Sequence, residues 1–239
     1  MKQLISYGVG VMFGRYAHDH DGLHIADAGV TPDEANETFE ITNPTFEADD
    51  DNVIPILDGD WFTDDITERF LQFVKVTFGE EHYEENIKFI EDAIGKSIRK
   101  YFVKDFYADH VKRYKKRPIY WLFSSPKGSF QALIYMHRYK SDTVSIILND
   151  YLRNFITKLE ATKENLEAVG ISTSATKSEK TKALKEIEKI KKMLIELEEY
   201  EKDIIYPLAT QKIEIDLDDG VKHNYPLFGK ALKKVVGLS

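Results

Sequence analysis

The chain has no cysteine in 239 residues. Disulfides, thiolate zinc sites, iron–sulfur clusters and cysteine nucleophiles are therefore excluded, and the composition fits a reducing cytosol. Long hydrophobic runs are missing too. The longest, Leu4 to Phe13, is broken by Ser6, Gly8 and Gly10 and is too short to cross a bilayer, so no membrane partner is expected. It follows Lys2 as the core of a secretory leader would, but it runs into Arg15 and His18 without a small-residue cleavage site and reads as a buried helix. Also absent are a glycine-rich dinucleotide loop after a strand, a phosphate-binding Gly-Lys-Ser/Thr loop and a Gly-x-Ser-x-Gly elbow.

Positive charge is lacking over one long stretch. Between Arg15 and Arg69 there are 16 Asp or Glu residues and no Lys or Arg. The formal net charge of -8 hides this division, because the remainder holds 33 basic against 25 acidic residues. Lys96 to Lys140 alone carries 12 cations against Asp105 and Asp109. A phosphate backbone feels the local field, so the low overall pI does not exclude a nucleic-acid partner.

Periodicity predicts a mainly α fold of the α+β kind. A region 1–141 combines helices, an acidic loop from 17 to 60 with strand-like pieces such as Asn52 to Leu57, and a β-hairpin at about 118–137. Within it, Thr63, Asp64 and Asp65 resemble a helix cap before Ile66, Phe70, Phe73, Val74 and Phe78. A further helix is expected over about 82 to 94, and short ones over 97 to 116. Residues 142–208 read as a long antiparallel helical hairpin. Its first arm ends near Gly170, a Thr176/Glu179 capping box opens the second, and Ile187, Ile190, Leu194, Leu197, Ile204 and Leu208 form a stripe that Glu201 breaks. The second arm should stop just before or at Pro207. Residues 209–239 form a tail of strand, turn and small helix packed on the rest, with the strand starting at Ile213.

Few residues suggest chemistry. His18, His20 and His24 with Asp19 and Asp21 have a metal-ligand look, but the usual hydrolase positions are filled by Gly22 and Leu23, so no metal site is assigned. Asp49, Asp50, Asp51, Asp58 and Asp60 lack the spacing of a calcium loop and read as solvated acids. Asn43-Pro44-Thr45-Phe46 approaches the Asn-Pro-Pro-aromatic tetrapeptide that holds a flipped adenine, yet Thr45 replaces the second proline. The cluster Lys112, Arg113, Lys115, Lys116 and Arg117 differs in kind. Five cations in six residues repel one another unless phosphates or acids are near. With Lys127 they form the candidate DNA-binding set, and the dipole preference of a helix end for cations is the plainer explanation. Trp121, Phe123 and Phe130 are candidate stacking rings, although a hairpin apolar on both faces favours core positions for them.

Several long segments together carry a resemblance: Leu4–Tyr16 (LISYGVGVMFGRY), Asp51–Trp61 (DNVIPILDGDW), Arg113–Phe130 (RYKKRPIYWLFSSPKGSF) and Asn224–Lys233 (NYPLFGKALK). They are similar to the C-terminal part of the adenine-specific DNA methyltransferase of bacteriophage exclusion, or phage growth limitation, systems. The resemblance implies a methyltransferase fold and an S-adenosylmethionine site upstream of this region. It also implies a non-catalytic portion here, without its own cofactor, that serves target recognition or assembly. The implied partners are DNA, the methyltransferase body and other proteins of the defence system. The acidic block and the apolar face of residues 4 to 16 are expected to dock on that body. Two rival classes are a stand-alone helical interaction module built on 142–208 and a metal hydrolase built on the three histidines.

Overall fold

The computed structural model describes residues 1–238. Helix α1 (Lys2–Met12) begins the chain, and a Cβ added at its Gly8 would sit 3.0 Å from the Phe73 ring, so a larger residue there would push that ring aside. Ile5, Val9, Val11 and Met12 are buried against other parts of this same chain. The apolar girth of α1 is thus covered from within, which corrects the expectation that this face waits for a missing body.

The acidic stretch is more ordered than its composition suggests. Helix α2 (Pro32–Thr38) forms there, started by a capping box of Thr31 and Glu34 with Pro32 in its first turn. The two-residue strand β1 (Ile54–Pro55) follows. Asn52 extends its pairing, since its side-chain amide donates to the Tyr135 carbonyl and accepts from the Tyr135 N–H, both at 3.0 Å. Helix α3 (Ile66–Phe78) is capped by Asp65, whose carboxylate accepts from the N–H groups of Thr67 and Glu68. Asp65 therefore takes the role expected of Thr63, and its other oxygen receives Arg99 at 2.6 Å. Helix α4 (Tyr83–Ile94) ends at the left-handed Gly95.

Helices α5 (Ile98–Tyr101) and α6 (Tyr107–Arg113) are one continuous rod joined by a π-helical turn, Phe102–Phe106. Strands β2 (Tyr120–Ser124) and β3 (Gln131–Tyr135) then form the hairpin, with Leu122 opposite Leu133. Among the described residues the sheet has the order β1-β3-β2, all antiparallel, and every residue of its strands is buried. Trp121, Phe123 and Phe130 are fully buried, so they build the core and cannot stack on bases.

Helix α7 (Thr143–Ile146) passes through a second π-helical segment, Ile147–Leu152, into α8 (Arg153–Ile171). Helix α9 (Lys177–Tyr200), started by the Thr176/Glu179 capping box, packs along α8. A third π-helical turn, Glu201–Ile205, leads into α10 (Tyr206–Gln211), so the helix does not stop at Pro207. The widened turn gives the proline ring the room that a regular α-turn denies it. It also shifts the buried stripe by one residue. Ile205 and Ala209 are buried where regular spacing would bury Ile204 and Leu208, and Glu201 is free to meet Arg153 at 2.7 Å.

The tail forms no strand at Ile213, whose carbonyl is held instead by the Tyr139 hydroxyl. After α11 (Gly220–Asn224) and a 3-10 turn over Tyr225–Ala231, the chain lays Leu232 against Phe123 on the outer edge of β2. The Lys233 N–H donates to the Leu122 carbonyl at 2.8 Å. Sheet, rod and tail are thereby fixed to one another around a single aromatic core.

Candidate nucleic-acid interface

The basic cluster sits where α6 ends. Two contacts pin that end. His110 accepts the Tyr120 N–H at 3.1 Å, and Arg15 donates to the Tyr114 hydroxyl at 2.8 Å. Burial, reinforced by the charges of Arg15 and Arg113, pushes the His110 imidazole down to about 3, which keeps it neutral and able to accept. The sequence signal for this anchor is slight, since a lone histidine in a helix has many uses.

Beyond Arg113 the backbone reverses through two consecutive left-handed residues, Lys115 at φ 50 and Lys116 at φ 63. The turn is closed by the Lys116 N–H on the Val111 carbonyl at 2.8 Å and the Arg117 N–H on the Tyr114 carbonyl at 2.9 Å. Glycine is the usual residue in such a position, and a lysine there costs about 1 kcal/mol or more. Lys112, Arg113, Lys115, Lys116 and Arg117 are all exposed. Among the described residues none of the five takes part in an ion pair.

Lys127 lies at the hairpin tip, and its position is set from α9. Glu196, nearly buried, accepts the Lys127 N–H at 2.6 Å and the Ser129 hydroxyl at 2.5 Å. Burial raises the Glu196 carboxyl, but hydrogen bonds from Ser125, Ser129 and the backbone at Lys127 and Ser129 outweigh it and hold the group below its ordinary range.

Folding adds cations that the sequence places far away. A groove of about 710 Å³ has Lys112, Lys115 and Lys116 on one side and Lys233 and Lys234 on the other. A second cleft of about 420 Å³ shares Lys104 with it and is lined by Lys127 and by Lys185, Lys189 and Lys192 of α9, together with Asp58, Glu188 and Glu196. The result is a connected lysine-rich face drawn from the α5–α6 rod, the hairpin tip, α9 and the tail. Lys185, Lys189 and Lys192 follow helical spacing on a charged helix surface, which by itself signals only solvation.

The other candidate clusters are occupied by internal contacts. His18 pairs with the Thr77 hydroxyl at 3.0 Å, His20 stacks on Phe39, and His24 meets the Asn36 side chain at 3.1 Å. Asp49 and Asp51 both face the Val53 N–H, at 3.1 and 2.9 Å, and the Tyr151 hydroxyl lies 2.9 Å from Asp51 and 3.1 Å from Asp64. Asp60 pairs with Arg99. Among the described residues no three His, Asp or Glu side chains converge as a metal site. Thr45 of the Asn43–Phe46 segment binds Asp19, and Phe46 is buried edge-on to Phe73. That ring is not available to a flipped base.

Comparison with known proteins finds similarity to one segment of larger proteins. No family model matches the chain. Along its whole length it is similar to a segment of adenine-specific methyltransferases. It is 38% identical over 253 aligned positions to the adenine-specific methyltransferase BrxX of Escherichia coli strain HS, an alignment covering 100% of this chain and 21% of that protein. It is 39% identical over 236 positions to the adenine-specific methyltransferase PglX of Lacticaseibacillus casei strain Zhang, covering 94% and 19%. The chain thus spans about a fifth of the length of the curated relatives it matches.

S-adenosylmethionine, the methyl donor such enzymes generally use, does not fit the residues here. Nucleoside cofactors in doubly wound folds sit at the carboxyl ends of parallel strands beside a glycine-rich turn. All strand pairing among the described residues is antiparallel, and the hairpin turn at Gly128 is closed by the Gly128 N–H on the Ser125 carbonyl and the Lys127 N–H on Glu196. No helix among the described residues is long and apolar enough to cross a membrane.

Proposed function

We propose that this chain is the C-terminal, non-catalytic portion of an adenine-specific DNA methyltransferase of a phage-defence system. Its role is to hold duplex DNA by the phosphates while the rest of the enzyme carries S-adenosylmethionine and performs methyl transfer. The observation that carries the proposal is the set of unpaired, exposed cations Lys112, Arg113, Lys115, Lys116 and Arg117, with Lys127 on the same connected face. Cations outside any ion pair, two of them (Lys115 and Lys116) on a strained turn, are matched to an external anion, and regularly spaced phosphates are such an anion. Phosphate contacts position a protein on DNA without reading bases, so the sequence read by the enzyme is set elsewhere.

The test is duplex binding by the chain followed by fluorescence anisotropy, with calorimetry against S-adenosylmethionine. The expected result is weak binding that strengthens steeply as salt falls from roughly 200 to 50 mM, without preference among duplex sequences. No heat is expected with S-adenosylmethionine. Salt-independent binding, or labelled methyl groups placed on DNA by this chain alone, would overturn the proposal.

A second role rests on α8 and α9. It is a protein contact on these helices, where Ile171, Leu184 and Ile195 are more than half exposed.

A further inference from the structure

The groove between α6 and the tail has a property that phosphate binding does not use. Between the lysines its lining is apolar, with Val103, Tyr107, Val111, Leu122 and Val235, and Val236 beside them. Its two walls are lysines, Lys112, Lys115 and Lys116 facing Lys233 and Lys234, and no Asp or Glu lines it. Val236 is 70% exposed, an aliphatic side chain standing open to water between cations.

Each ligand class can be judged against this pattern. A DNA duplex supplies charge but offers no aliphatic surface for the apolar lining. A stacked base needs an open ring, and the Tyr107 ring is buried with its hydroxyl held by that of Tyr225 at 2.9 Å. A small free anion would leave the apolar lining uncovered. A helix that carries aliphatic residues on one face and carboxylates beside them satisfies lining and walls together.

We infer that this groove docks an acidic amphipathic helix of a partner protein. Aliphatic residues of the helix seat on Val103, Val111 and Val236, and its Asp or Glu residues pair with the lysines of both walls. Charge complementarity selects this occupant, because every charged residue lining the groove is a lysine. The inference goes beyond the DNA proposal and does not depend on it. Since Lys112, Lys115 and Lys116 belong to both surfaces, helix and duplex compete for them.

The probe is a labelled synthetic peptide of about four helical turns with leucines at helical spacing and glutamates elsewhere. A scrambled peptide of the same composition, whose leucines share no face, is the control. The patterned peptide should bind the chain about tenfold more tightly than the scrambled one. Val236→Ser should weaken the patterned peptide about tenfold and leave the scrambled peptide and duplex DNA unchanged. The exposure of Val236 makes this variant safe for folding, and Val111→Ser provides a second, half-buried position. Equal affinity for the two peptides would overturn the inference, as would full retention of the patterned peptide by the Val236→Ser chain. Loss of duplex binding with either peptide result bears on the DNA proposal alone.

Discussion

The backbone N–H of Lys127 donates to Glu196 at 2.6 Å, tying the hairpin tip to the C-terminal part of α9 across 69 positions of sequence. The same carboxylate takes the Ser129 hydroxyl, so one buried acid fixes the whole turn. Replacing Glu196 with Gln removes the charge from these bonds and should destabilise the fold by roughly 1 to 3 kcal/mol in chemical unfolding. The carboxyl is held below its ordinary value of 4.5, so its contribution is present above about pH 4.5 and fades as the pH falls further. The Glu196→Gln chain should therefore show a shallower acid loss than the parent. Identical acid profiles would contradict this role.

Asp49 acts in the opposite direction. Burial, then the charge of Asp51, pushes its carboxyl up to about 7 against the pull of Arg69 and Arg138. The folded chain keeps a proton on Asp49 that the unfolded chain releases near 3.8, so stability falls as pH rises between these values, by roughly 1.4 kcal/mol per unit at most. Asp49→Asn imitates the protonated acid. It should match the parent near pH 4 and exceed it by about 2 kcal/mol or more at pH 8, measured by urea unfolding at both values. A variant less stable than the parent at pH 8 would show that the proton is not held there.

Lys116 is a third test because strain and charge coincide in it. Glycine accepts its φ of 63 without steric cost, so Lys116→Gly should leave stability unchanged or raise it by up to about 1 kcal/mol. Duplex binding should weaken in the same variant. Lys182→Gly, within α9, should instead lose about 1 kcal/mol and keep DNA affinity. A large stability loss in Lys116→Gly would mean that the lysine side chain supports the fold.

Local signals were legible where a few neighbouring residues decide the outcome. The Thr176/Glu179 capping box, the two apolar runs in 120–135 and the helical stripe through Leu194 and Leu197 all have direct structural counterparts. Helix α2 shows the limit of composition as a guide. Thr31, Pro32 and Glu34 carry a cap signal that the surrounding Asp, Gly and Asn residues mask. The π-helical turns are harder to read, because one inserted residue changes the register without changing the average spacing, as Ile205 in place of Ile204 demonstrates. The interface was half visible. The run from Lys112 to Arg117 stands out along the chain, whereas Lys233 and Lys234 reach it only because Leu232 pairs with Phe123, a contact between residues more than a hundred positions apart.

The basic cluster is tested most directly by the salt dependence of duplex binding in the chain with Lys115, Lys116 and Arg117 replaced by Ala. Each lost phosphate contact removes nearly one unit from the slope of log affinity against log salt. The triple variant should therefore fold like the parent, bind DNA more weakly at about 50 mM salt, and show a slope flatter by up to about three units. Affinity and slope equal to those of the parent would mean that these cations only terminate α6 and do not touch DNA.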